Sequence, residues 1–256
     1  MSPLKLDLLG PARLTSPDGE ILLTSPLPMA LLAFLALEER PVSREHLAQL
    51  FWPEMDRSRR LHNLRQTILR LKSAHTQNLV VGDGMLRVHP MALETDVDAF
   101  KQALAEGRTG DGVALWRGAF LEGFRRPQSW ELEDWIDRQR SLLEAALVHG
   151  VTKGACDALE GNAPDDAFDL LRPSRGILPE DEHLGVLEVR ALAAQGRRAE
   201  AEGLLSTLDF LENPKLESEA RAALAASPDP TVPEPQPVPE QADDSDLPLP
   251  TLPEPL

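Results

Sequence analysis

The sequence predicts an α-rich, α+β protein: a small mixed domain at the N-terminus, then an all-α domain. Three observations carry this. Short apolar runs with turn signals flank three helical patterns in residues 1–95, whereas the chain from Thr95 to about Leu224 reads almost wholly helical. Ala167-Phe168-Asp169-Leu170-Leu171 recurs as Ala201-Glu202-Gly203-Leu204-Leu205 at a spacing of 34 residues, the period of tetratricopeptide-type helical hairpins. Between these regions the charge changes sign. Residues 1–95 hold 11 basic and 10 acidic residues, and residues 96–225 hold 15 and 25.

Taken in order, Leu4 to Leu9 reads as a short strand ending at Gly10-Pro11. The turn pair Asp18-Gly19 precedes a second strand, Glu20 to Leu23, so a small antiparallel sheet comes first. Ser25-Pro26 offers an N-cap and a proline at the first helical position. Met29 to Leu37 is apolar on most sides, as in a buried helix. Ser43 caps the next helix, with Glu45 favourably placed in its first turn and Leu47, Leu50 and Phe51 as its inner face. Trp52-Pro53 leads into a third helix capped by Asp56. Beyond it, Asn78 to Val81 and Met85 to Val88 flank Gly82-Asp83-Gly84 as a hairpin. Helices two and three with their turn form a helix-turn-helix, and the hairpin is its wing.

The third helix, Asp56 to Ala74, is the candidate site. Leu61, Leu64, Ile68 and Leu71 recur at i, i+3, i+7 and i+10, an amphipathic stripe. No acid occurs between Asp56 and Asp83, while Arg57, Arg59, Arg60, Arg65, Arg70 and Lys72 are basic. On a wheel of about 100° per residue, Arg59, His62, Asn63, Gln66, Arg70 and Ser73 lie opposite the stripe. Arginines and amides there pair with guanine and adenine edges in a major groove. Arg57, Arg60, Arg65 and Lys72 flank the stripe, where they reach phosphates, and Arg87 is the cation of the wing. A solvated basic face has the same composition. The surroundings favour binding, because the chain carries a formal net charge of −16, so a helix without acids is a local exception to bulk repulsion of nucleic acid.

In the second region Thr95-Asp96-Val97-Asp98 is a helix start resembling a capping box, with Val97, Phe100 and Leu104 as one stripe. A long helix begins near Trp130, and Gly161-Asn162 and Gly196-Arg197 interrupt later ones. Trp116, Trp130 and Trp135 are expected in the core at helix junctions. From Ala226 the chain has ten prolines, seven acids and no base, a composition expected to be a disordered tail. The expected division is therefore 1–95, a separable winged-helix DNA-binding domain; 96–225, a helical domain; and 226–256, a Pro-rich acidic tail.

Chemistry of other kinds finds no motif. There is no phosphate-cradling Gly-Lys-Ser/Thr loop, no His-Glu-x-x-His and no Gly-x-Ser-x-Gly. The expectation is no enzyme, no catalytic residues, no cofactor and no metal. The single cysteine, Cys156, forbids an intrachain disulfide and reads as a small apolar side chain. No signal peptide or membrane span is expected, which points to a cytoplasmic protein, nucleoid-associated when bound.

Residues 1–225 resemble the bacterial transcriptional activator family that includes the antibiotic-pathway activators. The resemblance is carried by Leu8-Leu9-Gly10-Pro11, Leu31 to Leu37, Val42 to Ala48 and Leu50-Phe51-Trp52-Pro53. It continues in Leu61-His62-Asn63-Leu64-Arg65, Leu69-Arg70-Leu71-Lys72 and Asp96 to Phe100, then Trp116 to Leu121 and Trp135 to Arg140. Met85-Leu86 stands where the family's wing carries an aromatic. The resemblance implies a response-regulator-type winged helix joined to a helical activator domain. It also implies a transcriptional activator that binds double-stranded promoter DNA as a homodimer and contacts RNA polymerase. The alternative is a helical-repeat adaptor whose winged helix binds protein. Phosphate neutralisation gives steep salt dependence, and a protein partner a shallow one.

Overall fold

The computed structural model describes residues 2–38, 40–74, 78–89, 91–210 and 213–226. The tail expected from Ala226 onward lies, after that residue, outside the described residues. The N-terminal strands are β1 (Leu4–Asp7), β2 (Arg13–Thr15) and β3 (Ile21–Leu23). They join a later strand, β7 (Leu93–Thr95), in a sheet ordered β3-β2-β1-β7. The expected two-stranded hairpin is thereby corrected. Arg13–Thr15 intervenes as a third strand, because Gly10-Pro11 turns the chain back first, and β7 pairs with β1 in parallel through Leu4↔Leu93. Leu4 and Leu6 are buried and Lys5 is exposed, as strand alternation requires.

Three helices follow: α1 (Pro26–Leu37), α2 (Arg44–Phe51) and α3 (Arg57–Ala74), with β4 (Val42–Ser43) before α2. Ser43 Oγ accepts from the His46 amide at 3.1 Å, as its capping position demands. The wing is β5 (Val80–Val81) and β6 (Met85–Val88), with β4 added to its edge in the order β4-β6-β5. Its turn needs a glycine at position 82. Gly82 has φ +105°, and a Cβ there would lie 1.9 Å from the Met85 carbonyl oxygen. Arg44 ties the wing tip to the start of α2, its amide donating to the Gly84 carbonyl at 3.0 Å and its Nε to that of Asp83.

The helical region contains α4 (Asp96–Ala105), α5 (Thr109–Ala114), α6 (Trp130–Glu160), α7 (Pro164–Ile177), α8 (Glu182–Ala194), α9 (Arg198–Leu205) and α10 (Pro214–Ala226). The repeat seen in the sequence is real in its turns. After α6, the Ala163 amide reaches the Ala158 carbonyl at 2.8 Å and the Asn162 amide that of Leu159 at 3.2 Å. After α8, the equivalent amides of Arg197 and Gly196 reach Leu192 and Ala193 at 2.9 and 3.0 Å. Both are Schellman closures, with Asn162 at φ 57° and Gly196 at φ 74° supplying the left-handed residue. Thus α6–α7 and α8–α9 are consecutive helical hairpins, and α10 packs on α8 at the end.

Packing does not break where the composition changes. Thr95 is both the last residue of β7 and the N-cap of α4, accepting from the Asp98 amide at 2.9 Å. One apolar core runs from Leu4 to Ala191, and a smaller one holds α8, α9 and α10 through Val189, Ala201, Leu216 and Ala220. At the middle of the large core Phe34 of α1 packs against Trp135 of α6 with ring centres 4.9 Å apart and planes tilted by 51°, and meets Phe51 of α2 edge-on at 6.3 Å. Such pairs add about 0.5–1.5 kcal/mol each beyond their burial. Trp116 and Trp135 are buried as expected, but Trp130 is 75% exposed. It begins α6, one residue after the cap, where its side chain points away from the core side taken by Leu132 and Trp135.

Candidate nucleic-acid interface

The backbone of α3 starts at Asp56, whose carboxylate accepts from the Arg59 amide at 3.0 Å. The helix seats Leu64, Thr67, Ile68 and Leu71 in the core. Leu61 is only half-buried, so the buried stripe is turned toward Thr67 relative to the one expected from leucines alone. Thr67 tolerates burial because its hydroxyl donates to the Asn63 carbonyl at 2.9 Å. That rotation decides which polar residues face solvent.

His62, Arg65, Gln66, Arg70, Lys72 and Ser73 are all exposed on α3. Arg65, Arg70 and Lys72 make no ion pair among the described residues, nor does Arg87, exposed on β6. Arg57 and Arg59 are exposed but engaged, Arg57 with Glu45 at 3.0 Å and Arg59 with Asp56 at 3.3 Å. Two expected residues lie differently. Arg60 is only 16% exposed in its side chain, held toward α2 by Glu45 at 3.6 Å and by Gln49. Asn63 is half-buried, and its amide nitrogen lies 3.0 Å from the Met55 sulfur. The structure thus gathers His62, Arg65, Gln66, Arg70 and Lys72 on one outward face, and turns Arg60 toward α2 and Asn63 toward Met55 in the connection between α2 and α3. Beside that face β5 packs on α3, which brings the wing alongside.

One apolar residue joins the outward face. Leu69 is 45% exposed. At about 100° per residue it falls between Arg65 and His62 and away from the buried stripe, a position readable from the sequence.

The helical region grips the helix-turn-helix from behind. Ser129 is buried; its hydroxyl donates to the Leu50 carbonyl and accepts from the Leu132 amide at 3.3 Å. It caps the start of α6 and satisfies the end of α2 at once. Arg126 donates to the next carbonyl, Phe51, at 2.9 Å, and its guanidinium lies 6.0 Å over the Trp52 ring. A cation at the C-terminus of α2 suits the helix dipole. Neither residue stands out in the sequence, because each acts on a carbonyl more than 70 residues away.

A second junction is ionic. Asp96 receives the Leu8 amide at 2.8 Å, the Leu9 amide at 3.0 Å and Arg117 at 2.9 Å. Arg117 also reaches Asp7 at 2.9 Å, and Asp7 takes Arg13 at 2.6 Å. Burial pushes the Asp96 carboxyl above the usual aspartate range, against the pull of these donors. For Asp7, burial pulls up too, but hydrogen bonds from Arg117 and Arg13 outweigh it and hold the carboxyl below that range.

The bacterial transcriptional activator domain model matches residues 91–227, more than half of the chain. The chain belongs to the bacterial transcriptional activator domain family. The winged helix in front of the matched region gives it the domain order expected from the resemblance. The structure of Mycobacterium tuberculosis EmbR in complex with a low affinity phosphopeptide is similar in fold, with a TM-score of 0.59 at 20% identity. The likeness covers 88% of this chain and 65% of that one, so the chain spans less than two thirds of that neighbour's length. No curated protein matches the chain in sequence. No helix among the described residues is long and apolar enough to cross a membrane.

Proposed function

We propose that this family member is a sequence-specific DNA-binding activator that seats α3 in the major groove of double-stranded promoter DNA. The observation that carries the reading is the outward face of α3, where Arg65, Arg70 and Lys72 meet no acid among the described residues, in a chain of net charge −16. In this reading Gln66, Arg70 and His62 read base edges. Arg65, Lys72 and Arg87 hold phosphates, joined by Arg57 and Arg59 once DNA displaces their carboxylate partners. Arg60 and Asn63 act from the flank, fixing the angle between α2 and α3. The acidic helical region is the surface for RNA polymerase, and two copies bind adjacent half-sites as a homodimer.

The test is selection of duplexes from a random pool, followed by titration on the best site and on scrambled DNA at several salt concentrations. Gln66→Ala is expected to cost about 1–3 kcal/mol on the best site and to relax preference at one base position. Equal loss on both DNAs contradicts base reading by Gln66. A shallow salt slope for the whole protein favours the protein-binding adaptor instead.

A further inference from the structure

Leu69 sits oddly on α3. The helix hides its other leucines and its isoleucine wholly or in part, yet this side chain is 45% exposed. Its neighbours one turn away in either direction are Arg65, Gln66, Lys72 and Ser73, all exposed and polar. No other large hydrophobic side chain on α3 is exposed among the described residues. The pattern does not suit a protein-docking face, which needs a contiguous apolar patch. It does suit a major groove, whose one apolar feature is the 5-methyl group of thymine, set among hydrogen-bonding edges and flanking phosphates.

We propose that Leu69 is a specificity-determining residue that contacts a thymine methyl in the major groove. The inference rests on the DNA reading of α3 and adds a base identity to it. Gln66 lies one turn before Leu69, about 4.5 Å along the axis. An adenine read by Gln66 and a thymine met by Leu69 therefore fall within one or two base steps of each other, since bases rise about 3.4 Å per step. The methyl contact is made by shape and burial alone, so it is insensitive to salt, unlike the contacts of Arg65 and Lys72 on either side.

The experiment uses the full chain and the best duplex selected from a random pool. Each thymine in turn is replaced by deoxyuridine, which lacks only the 5-methyl group. The wild type is expected to bind about fourfold more weakly when one particular thymine is replaced, the effect of one buried methyl group. Leu69→Ala loses that sensitivity while its thermal unfolding midpoint moves little, because the side chain lies outside the buried core. Leu69→Met, which keeps an apolar tip, retains the thymine preference. Selection of a duplex with equal binding of thymine and deoxyuridine at every position overturns the inference and leaves the DNA reading standing. So does a Leu69→Ala protein that still discriminates. Failure to enrich any duplex overturns the DNA reading and the inference together.

Discussion

In the helical region many arginines are spoken for: Arg138 with Asp134 at 2.6 Å, Arg140 with Asp137 at 2.9 Å, Arg198 with Glu202 at 2.9 Å and Arg221 with Glu217 at 2.7 Å. Each partner lies three or four residues away, the spacing at which helical side chains meet. On α3 that spacing offers Arg65, Arg70 and Lys72 only Leu, Ile, Ala, Ser, Thr, Gln and His side chains, none of them acidic. The same residue type therefore does two jobs. Where acids are interleaved, arginine neutralises its own helix and leaves nothing for phosphate. Where acids are left out over a whole helix, the cations stay without acid partners on their own helix, and in the proposed reading DNA phosphate supplies the anion. The contrast divides the molecule by charge. The core, continuous from Leu4 to Ala191, does not divide it at all.

That mismatch between charge and packing gives the largest expected effect. A fragment of residues 1–95 keeps all the basic residues of α3 but loses Trp135 from Phe34, Ser129 from the Leu50 carbonyl and Asp96 from the Leu8 and Leu9 amides. It is expected to lack a cooperative unfolding transition and specific DNA binding. Circular dichroism during urea unfolding checks this. A sharp transition in the fragment would mean that the division by charge is also a division by stability.

Within the intact chain the next effect lies on α3. Arg65→Ala, Arg70→Ala and Lys72→Ala combined are expected to weaken binding to all DNAs by orders of magnitude. The salt slope is expected to fall by about one unit for each phosphate no longer neutralised. Arg138→Ala with Arg198→Ala, a removal of paired charge, is expected to leave both affinity and slope unchanged. Titrations at several salt concentrations measure the two sets side by side. Equal losses from both would show that the unpaired state of the α3 cations confers nothing.

Ser129→Ala acts on the link between the two regions. It leaves the Leu50 carbonyl buried without its partner and removes the cap of α6, for an expected loss of about 1–3 kcal/mol. Urea unfolding measures it. Salt slopes should not move, since no phosphate-facing residue is touched.

What the sequence disclosed, and what it hid, follows from range. Ser43, Asp56 and Thr95 announce helix starts because a cap bonds only two or three residues ahead, and the 34-residue repeat survives in matching turns at Asn162 and Gly196. Strands β4 and β7 carry no local signal because they are two and three residues long and owe their existence to distant partners, Leu86 and Leu4 among them. The candidate site is legible in composition and imperfect in orientation. A wheel drawn through the leucines alone takes no account of Thr67, which enters the core by satisfying its hydroxyl on the preceding turn. Including it brings Asn63 to the edge of the buried stripe, where the structure half-buries it. Arg60's partners, Glu45 and Gln49, come from another helix, so no local rule could place them.

The smallest expected effect concerns the ionic junction and is read in pH. Asp7 has its folded pKa depressed, so its ionised form stabilises the fold above the ordinary aspartate range, and that contribution is lost as the pH falls through the depressed value. Asp96 has its folded pKa raised, so its contribution runs the other way: fully present below the ordinary range and lost as the pH rises through the raised value. On acidification from neutral, this pair first adds stability as Asp96 takes a proton and then loses it as Asp7 does. Asp7→Asn is expected to flatten the strongly acidic side of the profile and Asp96→Asn the mildly acidic side. Urea midpoints across a pH series measure both. The effect is small because Asp7 is in part reached by solvent, which screens its pairs with Arg13 and Arg117. It is still diagnostic, since Arg117 bridges β1 to the start of α4. A profile unchanged in both variants would mean that the two regions are joined by their apolar core and the α2 carbonyl contacts alone, with no share taken by the buried charges.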